Sequence, residues 1–370
     1  MKVRYLAEQI KRDLKQKMVF IAGPRQIGKT TLALSLLKKN EGYLSWDIPE
    51  QRERILKRQY PNAPLIVFDE IHKFRAWRNY LKGFYDDKKS RYQILVTGSA
   101  KLDYYRFGGD SLQGRYHLLR MHPLSSRELG IDNSEDLMAL LDLSGFPEPY
   151  FGQSKEAAKR WSTEYRTRLV EEEITSLEAI RDVGSIELLM LRLPELVGSP
   201  LSINSLREDL QVNHYSVSKW IDILERNYVL FRLSPFGASK IRAVKKEQKH
   251  YHYDWSLVEN LSYRFENMVA CHLLKWVCFE QDAKGRELDL NYFRDVDKRE
   301  VDFVITEKRT PIFFVECKWS DAAISPGLLY LKNKFPQVES WQISMVGNKD
   351  YLSRENIRVS PAIKFLKKLI

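Results

Sequence analysis

Met18-Val19-Phe20-Ile21-Ala22-Gly23-Pro24-Arg25-Gln26-Ile27-Gly28-Lys29-Thr30-Thr31-Leu32 is the stretch that decides the fold. Five apolar residues run into a loop of the form G-x-x-x-x-G-K-[ST], and a helical pattern with Leu32, Leu36 and Leu37 follows. Glycine is needed at Gly23 and Gly28 because such a backbone wraps closely around phosphate oxygens with its amides turned inward. Lys29 then sets its ammonium between the β- and γ-phosphates, and the Thr30 hydroxyl faces magnesium. The helix that starts there turns its positive end toward the anion. Pro24, Arg25, Gln26, Ile27 and Thr31 complete the expected nucleotide-binding loop.

Working outward, Leu65-Ile66-Val67-Phe68 and Gln93-Ile94-Leu95-Val96-Thr97 are short apolar runs of the kind that form buried parallel strands. Helical patterns at Thr31 to Lys39 and Arg75 to Phe84 lie between them, which predicts an α/β layered domain. The second run ends in Asp69-Glu70, where a parallel sheet delivers ligand-facing side chains. Asp69 is expected to hold magnesium together with Thr30, and Glu70 to act as general base on the attacking water. The third run ends in Thr97-Gly98-Ser99, and Ser99 is the hydroxyl expected to sense the γ-phosphate. Arg115, in Gly114-Arg115, is either a transition-state arginine or a surface ion-pair partner. As the former it would act within the chain or across the interface of a homo-oligomer.

These motifs, with Asp69-Glu70-Ile71-His72 and Pro123-Leu124-Ser125-Ser126-Arg127-Glu128-Leu129, resemble a large bacterial and archaeal AAA-type ATPase family. That family typically carries a C-terminal domain of unknown function. Gly145-Phe146-Pro147-Glu148 and Lys249-His250-Tyr251-His252-Tyr253-Asp254 extend the resemblance along the chain. Ser144 departs from it, because such proteins often have another glycine there. The resemblance implies ATP and Mg2+ as cofactors.

After Ser144-Gly145-Phe146-Pro147-Glu148-Pro149 the character changes to a long charged helical stretch, Lys155 to Ile180. Two helical patterns then flank Gln211-Val212-Asn213, the second with Val217, Trp220, Ile221 and Leu224 spaced to bury one face. The β-like Tyr228-Val229-Leu230-Phe231-Arg232-Leu233 follows, so the middle of the chain is expected to be a helical lid with a winged helix.

The last third predicts a helix around Ser262 to Phe279, then strands near Leu288 to Phe293, Val301 to Ile305 and Ile312 to Cys317. Arg299-Glu300-Val301-Asp302 followed by Val315-Glu316-Cys317-Lys318 resembles the core of PD-(D/E)XK nucleases. Glu316 and Lys318 stand two apart on a strand and so share a face. Asp302 and Glu316 are expected metal ligands, Glu266 an additional one, and Lys318 the catalytic partner of the attacking water. The expected organisation is therefore an AAA-type P-loop domain at 1–150, a lid and winged helix at 151–245, and a restriction-endonuclease-like α/β domain at 246–370.

Sixty Lys and Arg against forty-nine Asp and Glu give a net charge of +11, which favours a polyanionic partner such as nucleic acid. Lys240, Arg242, Lys245, Lys246 and Lys249 form one basic run. Three scattered cysteines, Cys271, Cys278 and Cys317, suggest neither a disulfide framework nor a zinc site. No apolar block suits a leader or membrane span, so a cytoplasmic location without a membrane partner is expected. Two functions remain open: an ATPase acting on or regulated by nucleic acid, and an ATP-regulated protein-binding scaffold whose C-terminal domain is catalytically silent.

Overall fold

In the computed structural model, residues 4–39, 41–98, 112–174, 182–237 and 248–370 are described. They fall into two compact units, Met1–His122 with Asp282–Lys284, and Pro123–Gln281 with Gly285–Ile370.

The first unit is built on a sheet of five strands among the described residues: β1 Met18–Ala22, β2 Tyr43–Ser45, β3 Leu65–Asp69, β4 Gln93–Thr97 and β5 Tyr116–Arg120. Their order is β2-β3-β4-β1-β5 and every pairing is parallel, with Phe20 opposite both Val96 and Leu118. Every residue of β1 and β3 is buried, as expected of strands covered on both faces. The helix expected from Arg75 runs as Trp77–Lys88 and buries Trp77, Leu81 and Phe84 at i, i+4 and i+7. Phe84 meets Phe68 edge-on at 5.3 Å between ring centroids, which fixes the helix on the sheet. Since all five strands run the same way, the loops after β1, β3 and β4 open at one edge of the sheet.

The second unit begins with helices Ser126–Leu129, Ser134–Leu143, Pro147–Gly152 and Lys155–Arg168. Of the helix expected over Lys155 to Ile180, Lys155–Arg168 is α-helical and Leu169–Ile174 π-helical, and residues 175–180 lie outside the described residues. The expected helix pair is present as Ile203–Asp209 and His214–Arg226. Asn213 caps the second helix by accepting from the Ser216 amide at 2.8 Å, and Gln211 turns the chain with φ of 55°. Among the described residues an eight-stranded sheet follows, formed by β6 Leu230–Pro235, β7 Lys249–His252, β8 Leu288–Arg294, β9 Glu300–Glu307, β10 Thr310–Lys318, β11 Glu339–Ser344, β12 Tyr351–Leu352 and β13 Ile357–Pro361. Its order is β12-β13-β11-β10-β9-β8-β6-β7. The strand that the sequence sets beside the helix pair, β6, is thus part of this larger sheet. It pairs antiparallel with β7, across the expected boundary at 245, and parallel with β8. Around the helix Leu261–Lys284 the unit keeps the order helix, β8, β9, β10, helix Pro326–Lys334, β11, with β8, β9 and β10 antiparallel and β10 to β11 a parallel crossover.

The motif Pro123 to Leu129 is a buried clamp inside this unit. Ser125 and Glu128 cap each other's backbone, and Lys275, from the long helix, donates to Pro123 O and Ser125 Oγ, both at 3.0 Å, and pairs with Glu128. His272 Nδ1 lies 2.8 Å from Met268 O and its Nε2 accepts from the Ser126 amide at 3.0 Å. That pattern requires the neutral Nδ1–H tautomer, and burial lowers the imidazole to about 4, which keeps it neutral.

Candidate functional site

At the open edge of the first sheet, the loop after β1 alternates the hand of its backbone. Gly23 has φ of 145°, Gln26 of 57° and Gly28 of 94°, so successive amides turn toward one hollow. A Cβ at Gly23 would lie 2.3 Å from Met121 O, so only glycine fits beside the start of the loop. The helix Lys29–Ser35 leaves directly from this loop, with its N-terminus at the hollow. Lys29 is buried, and its ammonium donates to Gly23 O at 2.9 Å and Pro24 O at 2.6 Å.

Asp69, at the end of β3, is the electrostatic centre. Its Oδ2 accepts from Thr30 Oγ1 at 3.0 Å and Tyr43 OH at 2.6 Å, while Thr97 Oγ1 donates to Oδ1. Three strands and the loop helix therefore converge on one carboxylate. Thr30 and Asp69 form an all-oxygen pair, the donor chemistry that Mg2+ prefers, so the residues present fit a nucleotide-bound magnesium. Glu70 follows with φ of 55° and donates its amide to Thr97 O at 3.0 Å, which turns its side chain out of the strand. Burial raises the Glu70 carboxyl above its ordinary value, Lys73 at 3.4 Å opposes that rise, and neighbouring Asp69 adds to it. Lys73 is itself held by Asp47 at 2.6 Å.

The structure brings Gly23 to Thr30, Asp69 and Glu70 together, but not Arg115. Arg115 precedes β5, and its carbonyl accepts from Met18 N at the start of β1, whereas the loop Gly23 to Thr30 leaves the other end of that strand. Five residues at about 3.3 Å each separate them by roughly 16 Å. Its guanidinium makes a two-pronged pair with Asp86 at 2.9 and 3.0 Å. Ser99, expected to sense the γ-phosphate, lies outside the described residues, as do Lys240, Arg242, Lys245 and Lys246. Sequence reading missed Tyr43, because β2 is three residues long and carries no motif; only its pairing with β3 brings the phenol to Asp69.

The second unit gathers another polar group. Asp302 on β9 and Glu316 on β10 are neighbours, with Asp302 Oδ2 accepting from Cys317 N at 2.8 Å and Glu316 Oε2 accepting from Asp302 N at 3.4 Å. Lys318 Nζ lies 2.8 Å from Glu316 Oε1. Glu266 joins them from the long helix through Lys249, whose ammonium is 3.2 Å from Glu266 and 3.9 Å from Asp302. Lys249, expected in an exposed basic run, is instead completely buried on β7, because it faces these carboxylates. Burial, then the Glu316 and Glu266 charges, push the Asp302 carboxyl well up. Among the described residues no group of three His, Cys, Asp or Glu side chains converges in a metal-holding arrangement.

A family model described as AAA domain matches residues 15–130. Two models described as Domain of unknown function (DUF8612) and Domain of unknown function (DUF4143) match residues 134–267 and 264–363. The chain is similar to an uncharacterized protein of Mycobacterium tuberculosis, 25% identical over 264 residues that make up 70% of this chain and 59% of that relative. It thus spans less than two thirds of that protein's length. An uncharacterized protein of Haemophilus influenzae is 20% identical over 363 residues, covering 86% of this chain and 87% of the relative. Among solved structures, the Walker-type ATPase of Pyrococcus abyssi aligns with a TM-score of 0.44 at 14% identity, covering 71% of this chain and 98% of that one. Among the described residues no helix is long and apolar enough to cross a membrane.

Proposed function

We propose that this chain, which carries an AAA-type P-loop ATPase domain over residues 15–130, hydrolyses ATP with Mg2+ and uses that cycle to act on nucleic acid through its winged-helix segment and nuclease-like C-terminal domain. The observation that carries the ATPase half is the convergence of Thr30, Tyr43 and Thr97 on Asp69 beside the buried Lys29. Thr30 and Asp69 would hold magnesium, which when bound offsets phosphate charge. Lys29 exchanges its contacts with the Gly23 and Pro24 carbonyls for phosphate oxygens. Glu70 takes the proton of the attacking water, a role that its raised pKa suits. Arg115 can serve as a transition-state arginine only toward a second copy of the chain, since its own loop lies at the far end of β1.

The nucleic-acid half is supported by the charge of +11 and by the helix His214–Arg226, whose Tyr215 is 74% exposed beside exposed His214 and Lys219. The test joins both halves. Lys29→Ala should lose nucleotide binding and turnover, and binding of the wild type to nonspecific DNA should weaken steeply with salt, because each neutralised phosphate releases a counterion. Wild-type turnover in Lys29→Ala would remove the ATPase reading. A flat salt slope would remove the nucleic-acid reading and leave an ATP-regulated protein scaffold.

A further inference from the structure

The nuclease fold that the C-terminal motifs resemble works with a divalent metal between its acidic side chains, and the residues here do not fit one. Glu266, Glu300 and Asp302 converge on Lys249 Nζ at 3.2, 2.5 and 3.9 Å. Lys249 is wholly buried, and a buried ammonium stays charged only when carboxylates surround it. Glu266, Asp302 and Glu316 each have an oxygen that already accepts from a protein donor. Glu266 Oε1 accepts from Tyr251 OH at 2.7 Å as well as from Lys249, Asp302 Oδ2 accepts from Cys317 N, and Glu316 Oε1 from Lys318. Tyr251 and Lys249 are two residues apart on β7 and so address the cluster from the same face.

Charge balance leads to the same conclusion. Four carboxylates, Glu266, Glu300, Asp302 and Glu316, face Lys249, Lys318 and, at 3.8 Å from Glu300, Arg294. Each of the four thus has a cation of the protein within 3.9 Å. A magnesium ion needs carboxylate oxygens at about 2.0–2.1 Å in a near-octahedral shell, in the space that this ammonium fills.

We infer that Lys249 is the resident cation of the C-terminal acidic cluster, standing where a divalent metal would sit, so that the domain holds its ligands without metal-dependent phosphodiester cleavage. The inference rests on the nuclease-like reading of this domain and is independent of the ATP site. It is tested by Mn2+ titration of the nucleotide-free full chain, read by electron paramagnetic resonance. The wild type should have no saturable Mn2+ site that Asp302→Asn removes, and should leave DNA and RNA uncut with Mn2+ or Mg2+. Lys249→Met, which keeps the length and loses the charge, should gain one saturable Mn2+ site, lost again when Asp302→Asn is added. A wild-type Mn2+ site or cleavage activity that Asp302→Asn abolishes overturns the inference, and so does a folded Lys249→Met that gains no site. Should Lys249→Met not fold, the wild-type titration and cleavage assay decide alone. Failure of the ATPase reading would instead be seen as absence of nucleotide turnover, which none of these measurements uses.

Discussion

Replacing Ser144 by glycine should stabilise the protein. Ser144 closes the helix Ser134–Leu143 with φ of 77° and ψ of 165°, a combination that costs a residue bearing a Cβ about 1–3 kcal/mol and costs glycine almost nothing. Its side chain offers little in return. The residue is 1% exposed, and among the described residues its Oγ has no hydrogen-bond partner. Glycine adds about 0.5–1 kcal/mol of lost chain entropy, so relief of strain leaves a net gain of about 1 kcal/mol, increased by removing the buried hydroxyl. The neighbouring residue should behave in the opposite way. A Cβ at Gly145 would fall 2.4 Å from Trp255 Cη2, 2.8 Å from Pro123 Cβ and 2.9 Å from Leu124 O, so Gly145→Ala should destabilise by about 3 kcal/mol. Urea unfolding followed by tryptophan fluorescence measures both, with the midpoint moving and the slope constant. A Ser144→Gly midpoint at or below wild type would refute the strain argument. A tolerated Gly145→Ala would refute the packing around Trp255.

Glu70→Gln should bind ATP and trap it unhydrolysed on a filter, since Thr30 and Asp69 remain; loss of binding would show that Glu70 acts on the nucleotide itself. Because a protonated carboxyl is no base and the Glu70 pKa is raised, wild-type turnover should fall on acidification at a pH above the ordinary carboxylate range. A profile flat through mild acid would count against the role. Tyr43→Phe removes the phenol that lies 2.6 Å from Asp69. A hydrogen bond to a charged group contributes about 1.5 kcal/mol, so the Mg2+ needed for half-maximal turnover should rise roughly tenfold with ATP affinity little changed; an unaltered Mg2+ dependence would deny Tyr43 a positioning role. Lys275→Ala leaves Glu128 buried without its ammonium and should cost about 3–5 kcal/mol in denaturant unfolding, and a loss under 1 kcal/mol would show that the clamp is not structural.

The candidate phosphate site was legible because its residues lie close together in the chain. Gly23, Gly28, Lys29 and Thr30 lie within eight residues, and the apolar runs before them and before Asp69 declare buried parallel strands whose ends must meet at one sheet edge. Periodicity likewise marked the helix His214–Arg226, since Val217, Trp220, Ile221 and Leu224 can share only one face. Spacing two apart placed Glu316 and Lys318 side by side on β10, where the structure has them 2.8 Å apart.

Strand order and side-chain burial were decided by the tertiary structure. Tyr43 reaches Asp69 only because β2 lies beside β3, and Arg115 is removed from its own loop because β5 runs parallel to β1 and begins at the opposite edge. Neither fact has a signature in the neighbouring residues. Lys249 is the sharpest case. In the sequence it closes a basic run and resembles every other solvated lysine, yet β7 turns it inward against Glu266, Glu300 and Asp302, residues 17 to 53 positions further along the chain. A motif fixes which groups are near in sequence and on which face they lie. Whether a charge is solvated, paired or buried depends on distant strands, and that is why the loop could be read in advance while the cation in the acidic cluster could not.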